Sequence, residues 1–287
     1  MKIEDYIEAF LADHRARGSR ARTITWHEWT VKTLLGPWIG AEADTLTVFV
    51  MNKALDRDVK PNTLANYERS LRAFVNWLIG VELLTRDPFK SRKRAKQEFL
   101  PKRVLTLSEI QAMFKAAKVD RRWRHRNVAL LALFLDTGLR ASEVARLRLA
   151  DVDWETGVLR VEGKTGPGTS AMGRKTLKLL RLYVSHERKS TDPHLFVFRG
   201  KPITQMSLTR WAHRLGLRAG LKDRIGCHTF RRTFATMCTE SGMDFFSLQR
   251  AMRHKTPAMT QRYIMLDFRH VRRQVEQHGP MAGVILD

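Results

Sequence analysis

A strongly cationic segment in the first half of the chain constrains the fold most. Residues 90–103 read KSRKRAKQEFLPKR, in which seven of fourteen residues are Lys or Arg. A segment with so few apolar side chains cannot be buried in a core, so it should lie on the surface between separately folded parts. The sequence therefore predicts three parts: a domain at 1–89, a basic linker at 90–103 and a second domain at 104–287.

The charge balance of the whole chain indicates a polyanionic partner. Lys and Arg total 52 against 29 Asp and Glu, a formal net charge of +23, and the excess is spread along the chain. A dispersed excess of this size predicts an extended surface for nucleic acid. It also favours a linker that lies along a phosphate backbone over one that is a solvated hinge. Basic proteins also bind anionic membranes and ribosomal RNA, so charge alone leaves those partners open.

Nothing in the sequence predicts a membrane segment. The longest apolar run, 128–135, is too short to span a bilayer, and residues 1–10 lack the regions of a secretory signal. We therefore expect a soluble, cytoplasmic protein. Its two cysteines, Cys227 and Cys238, fit no zinc motif and are expected to be reduced core residues. No cofactor or metal is predicted.

Hydrophobic periodicity predicts four helices in residues 2–89. The clearest begins at Pro61 and ends at Gly80. Its apolar residues recur at helical spacing: Leu64, Tyr67, Leu71, Phe74, Val75 and Leu78. The first helix has a similar stripe formed by Ile3, Tyr6, Ile7, Phe10 and Leu11. These stripes predict a small all-helical core.

The second domain is predicted to be mainly α with a small β-sheet. Thr106 and Glu109 form a capping box that opens a helix. Segment 128–135 is apolar on every face, so it should lie at the centre of the domain. Alternation over 157–161, followed by the turn-rich stretch 163–168, predicts a strand and the tip of a β-hairpin. Helices are expected again up to residue 277.

His228 and Arg231 are a candidate phosphate-binding pair. On a helix that ends near Ser241-Gly242, Phe230, Phe234 and Met237 share one face. His228 and Arg231 share a nearly opposite face that the core leaves free for a ligand. A guanidinium can grip two phosphate oxygens, and an imidazole can exchange a proton. Taken alone, the pair is weak evidence, because basic residues at this spacing usually belong to a solvated helix face.

Further stretches make a specific resemblance. Residues 137–143 read TGLRASE and residues 252–254 read MRH, followed by Tyr263. With His228 and Arg231, they resemble the signature boxes of the tyrosine recombinase (phage integrase) family. The spacings are similar to those of Xer-like members: Lys164 lies 24 residues after Arg140, His254 lies 23 after Arg231, and Tyr263 lies 9 after His254. The resemblance covers the second domain, whereas the first is similar to the family's core-binding domain in size and placement only.

The resemblance implies a helical SAM-like core-binding domain at 1–89 and a mixed α/β catalytic domain at 104–287, together forming a clamp on double-stranded DNA core sites. It also implies a homotetramer on synapsed DNA, and hence association with the nucleoid. We expect the apolar stretch 281–285 to dock on a neighbouring protomer or, equally, on its own domain. No arm-binding domain is expected before residue 1, which favours simple core-site recombination.

The resemblance further implies six catalytic residues: Arg140, Lys164, His228, Arg231, His254 and Tyr263. Arg140 and Arg231 would clamp the nonbridging oxygens and neutralise charge at the phosphorus, with a hydrogen bond from His254. Tyr263 would attack with help from His228, and Lys164 would protonate the departing 5′ oxygen. The product would be a 3′-phosphotyrosyl bond, formed without metal or ATP.

Two stretches depart from the family pattern, and two other functions stay open. Residues 166–169 read GPGT where relatives usually have a second basic residue, and Met252-Arg253 stands in place of Leu-Gly. Arg253 would add a phosphate contact or be tolerated. A type IB topoisomerase-like enzyme would use a similar pocket to relax supercoils. A non-catalytic protein of this fold would bind DNA without a covalent adduct.

Overall fold

The computed structural model divides the chain into two compact units, Met1–Pro101 and Lys102–Asp287. It describes residues 1–94, 103–163, 166–254, 256–261, 272, 275–277, 279 and 281. Part of the basic linker, the residues Lys164 and Tyr263, and most of the tail after residue 261 lie outside the described residues.

The first unit contains the four predicted helices, which are confirmed. They are α1 (Ile3–Ala16), α2 (Ala21–Leu35), α3 (Val48–Leu55) and α4 (Pro61–Gly80). Proline starts α4 because its fixed φ suits the first helical position, where no backbone donor is needed. Thr47 caps α3 by accepting a hydrogen bond from the Val50 backbone amide.

Apolar stripes of these helices form the core of the first unit. In α1, Ile3, Ile7, Phe10 and Leu11 are at most 1% exposed, in agreement with the predicted stripe. The core also contains a charge, since Glu68 is buried on α4. Its carboxylate accepts a 2.8 Å hydrogen bond from Arg72 Nε one turn later, which offsets the cost of removing it from water.

The second unit is mostly helical with two small antiparallel strand pairs. Among the residues that the structure describes, the helices of this unit are α5 (Leu107–Val119), α6 (Arg124–Thr137), α7 (Ala141–Val144), α8 (Arg174–His186), α9 (Gln205–Arg218), α10 (Cys227–Glu240), α11 (Phe245–Ala251) and α12 (Pro257–Gln261). Its strands are β1 (Val158–Gly163), β2 (Gly166–Ala171), β3 (Val197–Phe198) and β4 (Lys201–Pro202). The predicted fold class, mainly α with a small sheet, is confirmed.

Helix α6 is the centre of the second unit. All residues from Val128 to Phe134 are buried, because α5, α8 and α10 pack around this helix. The prediction of a central helix from its uniform apolarity is therefore confirmed. The predicted capping box also forms, with Thr106 Oγ1 accepting from the Glu109 amide and Glu109 Oε2 accepting from the Thr106 amide.

The β1–β2 hairpin turns more tightly than the sequence predicted. Glycines and proline at 166–168 were expected at the tip, but these residues lie in β2. Gly163 pairs with Gly166, and Glu162 pairs with Pro167. The antiparallel register thus continues through the turn-forming residues, since proline and glycine are tolerated at a strand end and on a sheet edge.

Three smaller features complete the second unit. The β3–β4 pair was not predicted, because two-residue strands carry no periodic signal. Cys227 is buried as expected, which raises the pKa of its thiol to about 12, and Cys238 is half-buried. Within the part of the chain that the structure describes, no helix has the length and apolarity needed to cross a membrane.

Candidate active site

The turn after α6 brings the first candidate residue to the site. Gly138 ends α6 with a left-handed φ of +59°. A Cβ at this position would lie 2.5 Å from Phe234 Cδ1 and 3.1 Å from Met252 Sδ. Glycine is therefore required both by the backbone conformation and by the close approach of α10 and of the chain after α11.

Arg140 starts the next helix and is held by a buried carboxylate. Its backbone amide donates to Glu143 Oε2 at 2.8 Å, and its Nη1 donates to Glu143 Oε1 at 2.9 Å. The Glu143 side chain is 1% exposed, whereas that of Arg140 is 21% exposed. These two hydrogen bonds fix the guanidinium of Arg140 at the edge of the site, and part of the guanidinium stays accessible to solvent.

Arg231 connects two distant stretches of chain from within α10. Its side chain is buried, with the residue 3% exposed. Nη1 donates to the Gly138 carbonyl at 2.5 Å, and Nη2 donates to the Met252 carbonyl at 2.5 Å. Nη2 also lies 2.9 Å from His254 Nε2. These contacts orient the guanidinium between the α6–α7 turn and the segment after α11.

His254 is buried beside Arg231, and its contacts determine its tautomer. A guanidinium can only donate, so Nε2 of His254 accepts from Arg231. The proton then resides on Nδ1, which donates to Thr260 Oγ1 at 2.8 Å. Burial, and then the charges of Arg231 and Arg140, lower the pKa of His254 to about 4. The ring is therefore neutral near pH 7.

His228 lies in the first turn of α10 and is exposed. Arg231 was expected to lie with His228 on a helix face that the core leaves free for a ligand. For Arg231 this expectation was wrong, because the residue is buried. The reason is tertiary: the carbonyls of Gly138 and Met252 are brought against this face and accept its N–H groups. The structure thus brings together Arg140, Arg231 and His254, while Lys164 and Tyr263 lie outside the described residues.

A cleft of about 570 Å³ opens beside His254. It is bounded on one side by Pro167, Gly168 and Thr169 of β2, and on the other by Phe246, Gln249, Arg250 and Arg253 in and after α11. Phe246 is 77% exposed. The cleft therefore lies between the hairpin and α11, next to the buried cluster.

Two contributing residues were not assigned a role from the sequence, and for a third the observed contact was not predicted. Glu143 stood within the recognised box, and its position three residues after Arg140 is the spacing of a capping box that could have indicated it. Thr260 carries no sequence signal, since its partner His254 reaches it only through the fold. Arg253 was noted as a departure, but its contact with Glu143 Oε1 at 3.1 Å was not foreseen.

The described residues offer no obvious metal centre. Among them, no group of three or more His, Cys, Asp or Glu side chains is placed to hold a metal ion. The charged side chains of the cluster are cationic, apart from the buried Glu143, which is shared between Arg140 and Arg253. Such a cluster is suited to binding an anion.

Sequence comparison relates the chain to known recombinases. Residues 103–270 match the model of the phage integrase family. Tyrosine recombinase XerC of Lacticaseibacillus casei (strain BL23) is 29% identical over 233 residues, covering 78% of each chain. Tyrosine recombinase XerC of Azotobacter vinelandii is 28% identical over 279 residues, covering 96% of this chain and 93% of that protein.

Solved structures share the fold. The integrase of the Tn1549 transposon, in complex with transposon right end DNA, matches with a TM-score of 0.79 and 20% identity, covering 97% of this chain and 99% of that one. A lambda integrase dimer bound to a COC′ core site matches with a TM-score of 0.76 and 18% identity, covering 92% and 95%. The family model matches more than half of this chain, and the chain therefore belongs to the phage integrase family of tyrosine recombinases.

Proposed function

We propose that this chain is a site-specific DNA recombinase that cleaves and rejoins strands through a 3′-phosphotyrosyl intermediate. The observation that carries the proposal is the convergence of Arg140, Arg231 and His254, which come from separate stretches of the sequence. Membership of the tyrosine recombinase family supports it. A phosphodiester resists nucleophiles because its oxygens are negative, and a preorganised cationic site removes that barrier.

Arg140 and Arg231 would bind the nonbridging oxygens of the scissile phosphate. Their positive charges already act on the site, because both lower the pKa of His254. The same charges would attract a phosphate and stabilise the extra negative charge of the pentacoordinate transition state. Glu143 and the carbonyls of Gly138 and Met252 hold the two guanidinium groups in place before the substrate arrives.

His254 would change its hydrogen-bonding role when a phosphate binds. In the structure its Nε2 accepts from Arg231. A bound phosphate oxygen would compensate the charges of Arg231 and Arg140, and this would raise the pKa of His254. The ring could then take up a proton and donate Nε2–H to the phosphate, while Nδ1–H stays on Thr260.

The remaining assignments rest on the family resemblance. Tyr263 would form a bond from its phenolate oxygen to phosphorus as the bond to the 5′ oxygen breaks. His228 would assist loss of the phenol proton, and Lys164 would supply a proton to the 5′ oxygen. The 3′-phosphotyrosyl bond keeps the energy of the broken linkage, so a 5′ hydroxyl from another strand can reverse the step without ATP.

DNA binding would involve both units. We propose residues 1–89 as a core-binding domain, 90–103 as a basic strap and 104–287 as the catalytic domain. The net charge of +23 supports a large phosphate-contacting surface. DNA-bound structures of the Tn1549 and lambda integrases, which share the fold, are consistent with this use.

Recombination joins two sites and cleaves four strands, so we propose a homotetramer on synapsed DNA and association with the nucleoid. The apolar stretch 281–285 is a candidate contact with a neighbouring protomer. Deleting residues 279–287 should weaken tetramers in sedimentation of the protein–DNA complex. Unchanged tetramers would refute this role of the tail.

The test of the proposed function is to trap the covalent complex on a nicked suicide substrate. Wild-type protein should form an adduct at one mapped phosphate, and Tyr263→Phe should form none while binding DNA as tightly. Tyr6→Phe, on α1 of the first unit, is the matched control and should behave as wild type. An adduct with Tyr263→Phe would refute the assignment, and relaxation of supercoiled DNA without joined products would indicate a topoisomerase instead.

A further inference from the structure

Arg253 has an unusual backbone conformation for its residue type. It follows the last turn of α11 with a φ of +52°, in the left-handed region that side chains with a Cβ disfavour. Its side chain is nevertheless 8% exposed, so the guanidinium is directed into the protein. A strained position that sends a charged side chain inward requires specific partners there.

Those partners are a carboxylate and a hairpin carbonyl. Arg253 Nη1 lies 3.1 Å from Glu143 Oε1, and Nη2 donates to the Gly166 carbonyl at 2.8 Å. Glu143 also binds Arg140 through both of its oxygens. One buried carboxylate is thus shared by Arg140 and Arg253, and Arg253 continues the connection to β2.

The hairpin is shaped to receive this guanidinium. A Cβ at Gly163 would lie 2.6 Å from Glu143 Oε1 and 3.4 Å from Arg253 Nη2. A Cβ at Gly168 would lie 3.0 Å from Arg253 Nε. Glycines on both strands therefore leave the space in which the ion pair between Glu143 and Arg253 packs against the hairpin.

The backbone around Arg253 also forms part of the site. The carbonyl of the preceding residue, Met252, accepts from Arg231, and the next residue is His254, which accepts from the same guanidinium. The backbone neighbours of Arg253 thus contact Arg231, while its own side chain contacts the hairpin. Any movement of its backbone would displace Met252 and His254 together.

We propose that Arg253 is a positioning residue for strand cleavage: through Glu143 and the Gly166 carbonyl, it holds the β1–β2 hairpin in register with Arg140 and His254. This inference rests on the proposed function. A direct phosphate contact is the competing role, and the experiment below separates the two. Residues that orient a reacting group contribute strongly, because a displacement of about 1 Å can cost about 100-fold in rate.

The experiment compares two substitutions of Arg253 with a matched control. Arg253→Gly removes the guanidinium and relieves the backbone, and Arg253→Lys keeps the charge but cannot reach both partners as a fork. Arg199→Gly, in the turn between β3 and β4, removes an exposed arginine with a φ of +51° that does not line the cleft, and it is the control. Hydrogen exchange of the β1 and β2 amides is measured without DNA, and single-turnover adduct formation is measured at saturating suicide substrate.

In Arg253→Gly, the hairpin amides should exchange hydrogen about tenfold faster or more. The rate of adduct formation should fall about 10- to 100-fold, and the affinity for DNA should be unchanged. Arg253→Lys should recover part of both effects, and Arg199→Gly should leave the hairpin exchange and the adduct rate unchanged. Melting curves identify a variant that fails to fold, in which case Gly168→Ala tests the same contact from the hairpin side and should give the same two effects.

Unchanged hairpin exchange in both Arg253 variants would overturn the proposal. So would faster exchange with an unchanged adduct rate. Weaker DNA binding with a salt slope shallower by about 0.9 and unchanged exchange would assign Arg253 to a phosphate instead. If the wild type forms no adduct, the proposed function fails and the cleavage role with it, whereas the exchange measurement shows separately whether Arg253 holds the hairpin.

Discussion

Replacing Gly138 by alanine should damage both stability and cleavage. Gly138 has a φ of +59°, and its carbonyl accepts a hydrogen bond from Arg231. A methyl group at this position would lie 2.5 Å from Phe234 Cδ1, well inside an ordinary contact distance. The substitution therefore strains the backbone and pushes α10, which carries Arg231, away from the turn.

The expected loss of stability is the sum of these two effects. An L-residue in the left-handed region costs about 1–2 kcal/mol. Inserting a methyl group into a filled core typically costs about 1–3 kcal/mol. We expect a loss of about 3 kcal/mol in the free energy of unfolding, which corresponds to a fall of about 6–12 °C in the melting temperature of a unit of this size.

A second glycine of the same unit separates the two contributions. Gly220 has a φ of +78°, and a Cβ there would meet nothing within 4 Å. Gly220→Ala should therefore lose only the conformational part, about 1–2 kcal/mol. Hydrogen exchange of α6 and α10 amides in denaturant reports the free energy of unfolding of this unit alone, and adduct formation on a suicide substrate reports the site.

The comparison has a clear failing outcome. Equal losses of stability in Gly138→Ala and Gly220→Ala would show that Phe234 moves aside at no cost, and that the close approach at the turn is not needed. A normal rate of adduct formation in Gly138→Ala would show that the position of Arg231 does not depend on this turn.

Three further measurements test the electrostatics of the site. A lysine at position 231 cannot bridge the carbonyls of Gly138 and Met252. In Arg231→Lys, single-turnover adduct formation should therefore slow about 100-fold, with little change in DNA affinity. A normal rate would contradict the role of Arg231 in binding the scissile phosphate. The pKa of His254 is lowered from 6.5 to about 4 in the folded protein. Between about pH 4 and pH 6.5, the unfolded chain therefore binds a proton that the folded chain does not bind. Stability should therefore fall by up to about 3 kcal/mol as the pH drops through this window, and His254→Gln should flatten the pH profile of denaturant midpoints. DNA affinity should decrease with salt at a log–log slope near −5 if about six phosphates are contacted, and a slope near −1 would contradict an extended phosphate interface.

Much of the local structure followed from the sequence. The stripe in α1, the proline that starts α4 and the Thr106–Glu109 capping box were all predicted, because each depends on residues within one or two turns of a helix. The uniform apolarity of 128–135 likewise predicted the central helix. The β3–β4 pair was missed because two-residue strands have no period to detect.

The hairpin shows where local signals mislead. Gly166, Pro167 and Gly168 are turn-forming residues, and they predicted the tip. In the structure they lie in β2, where Gly168 leaves space for Arg253 and Gly166 pairs with Gly163. Gly168 permits a close approach by Arg253, a residue distant in the sequence, and local sequence rules cannot predict such an approach.

The amino-acid sequence by itself determined the helices, the cationic character and the order of the candidate residues, because these depend on composition and on neighbours along the chain. Only the tertiary structure decided that Arg231 is buried, which tautomer His254 adopts and where Arg253 is directed. The partners of Arg231 lie 93 and 21 residues away along the chain, and such contacts exist only after distant segments have packed together. Burial then sets the pKa of His254, since desolvation and the two arginine charges act through space.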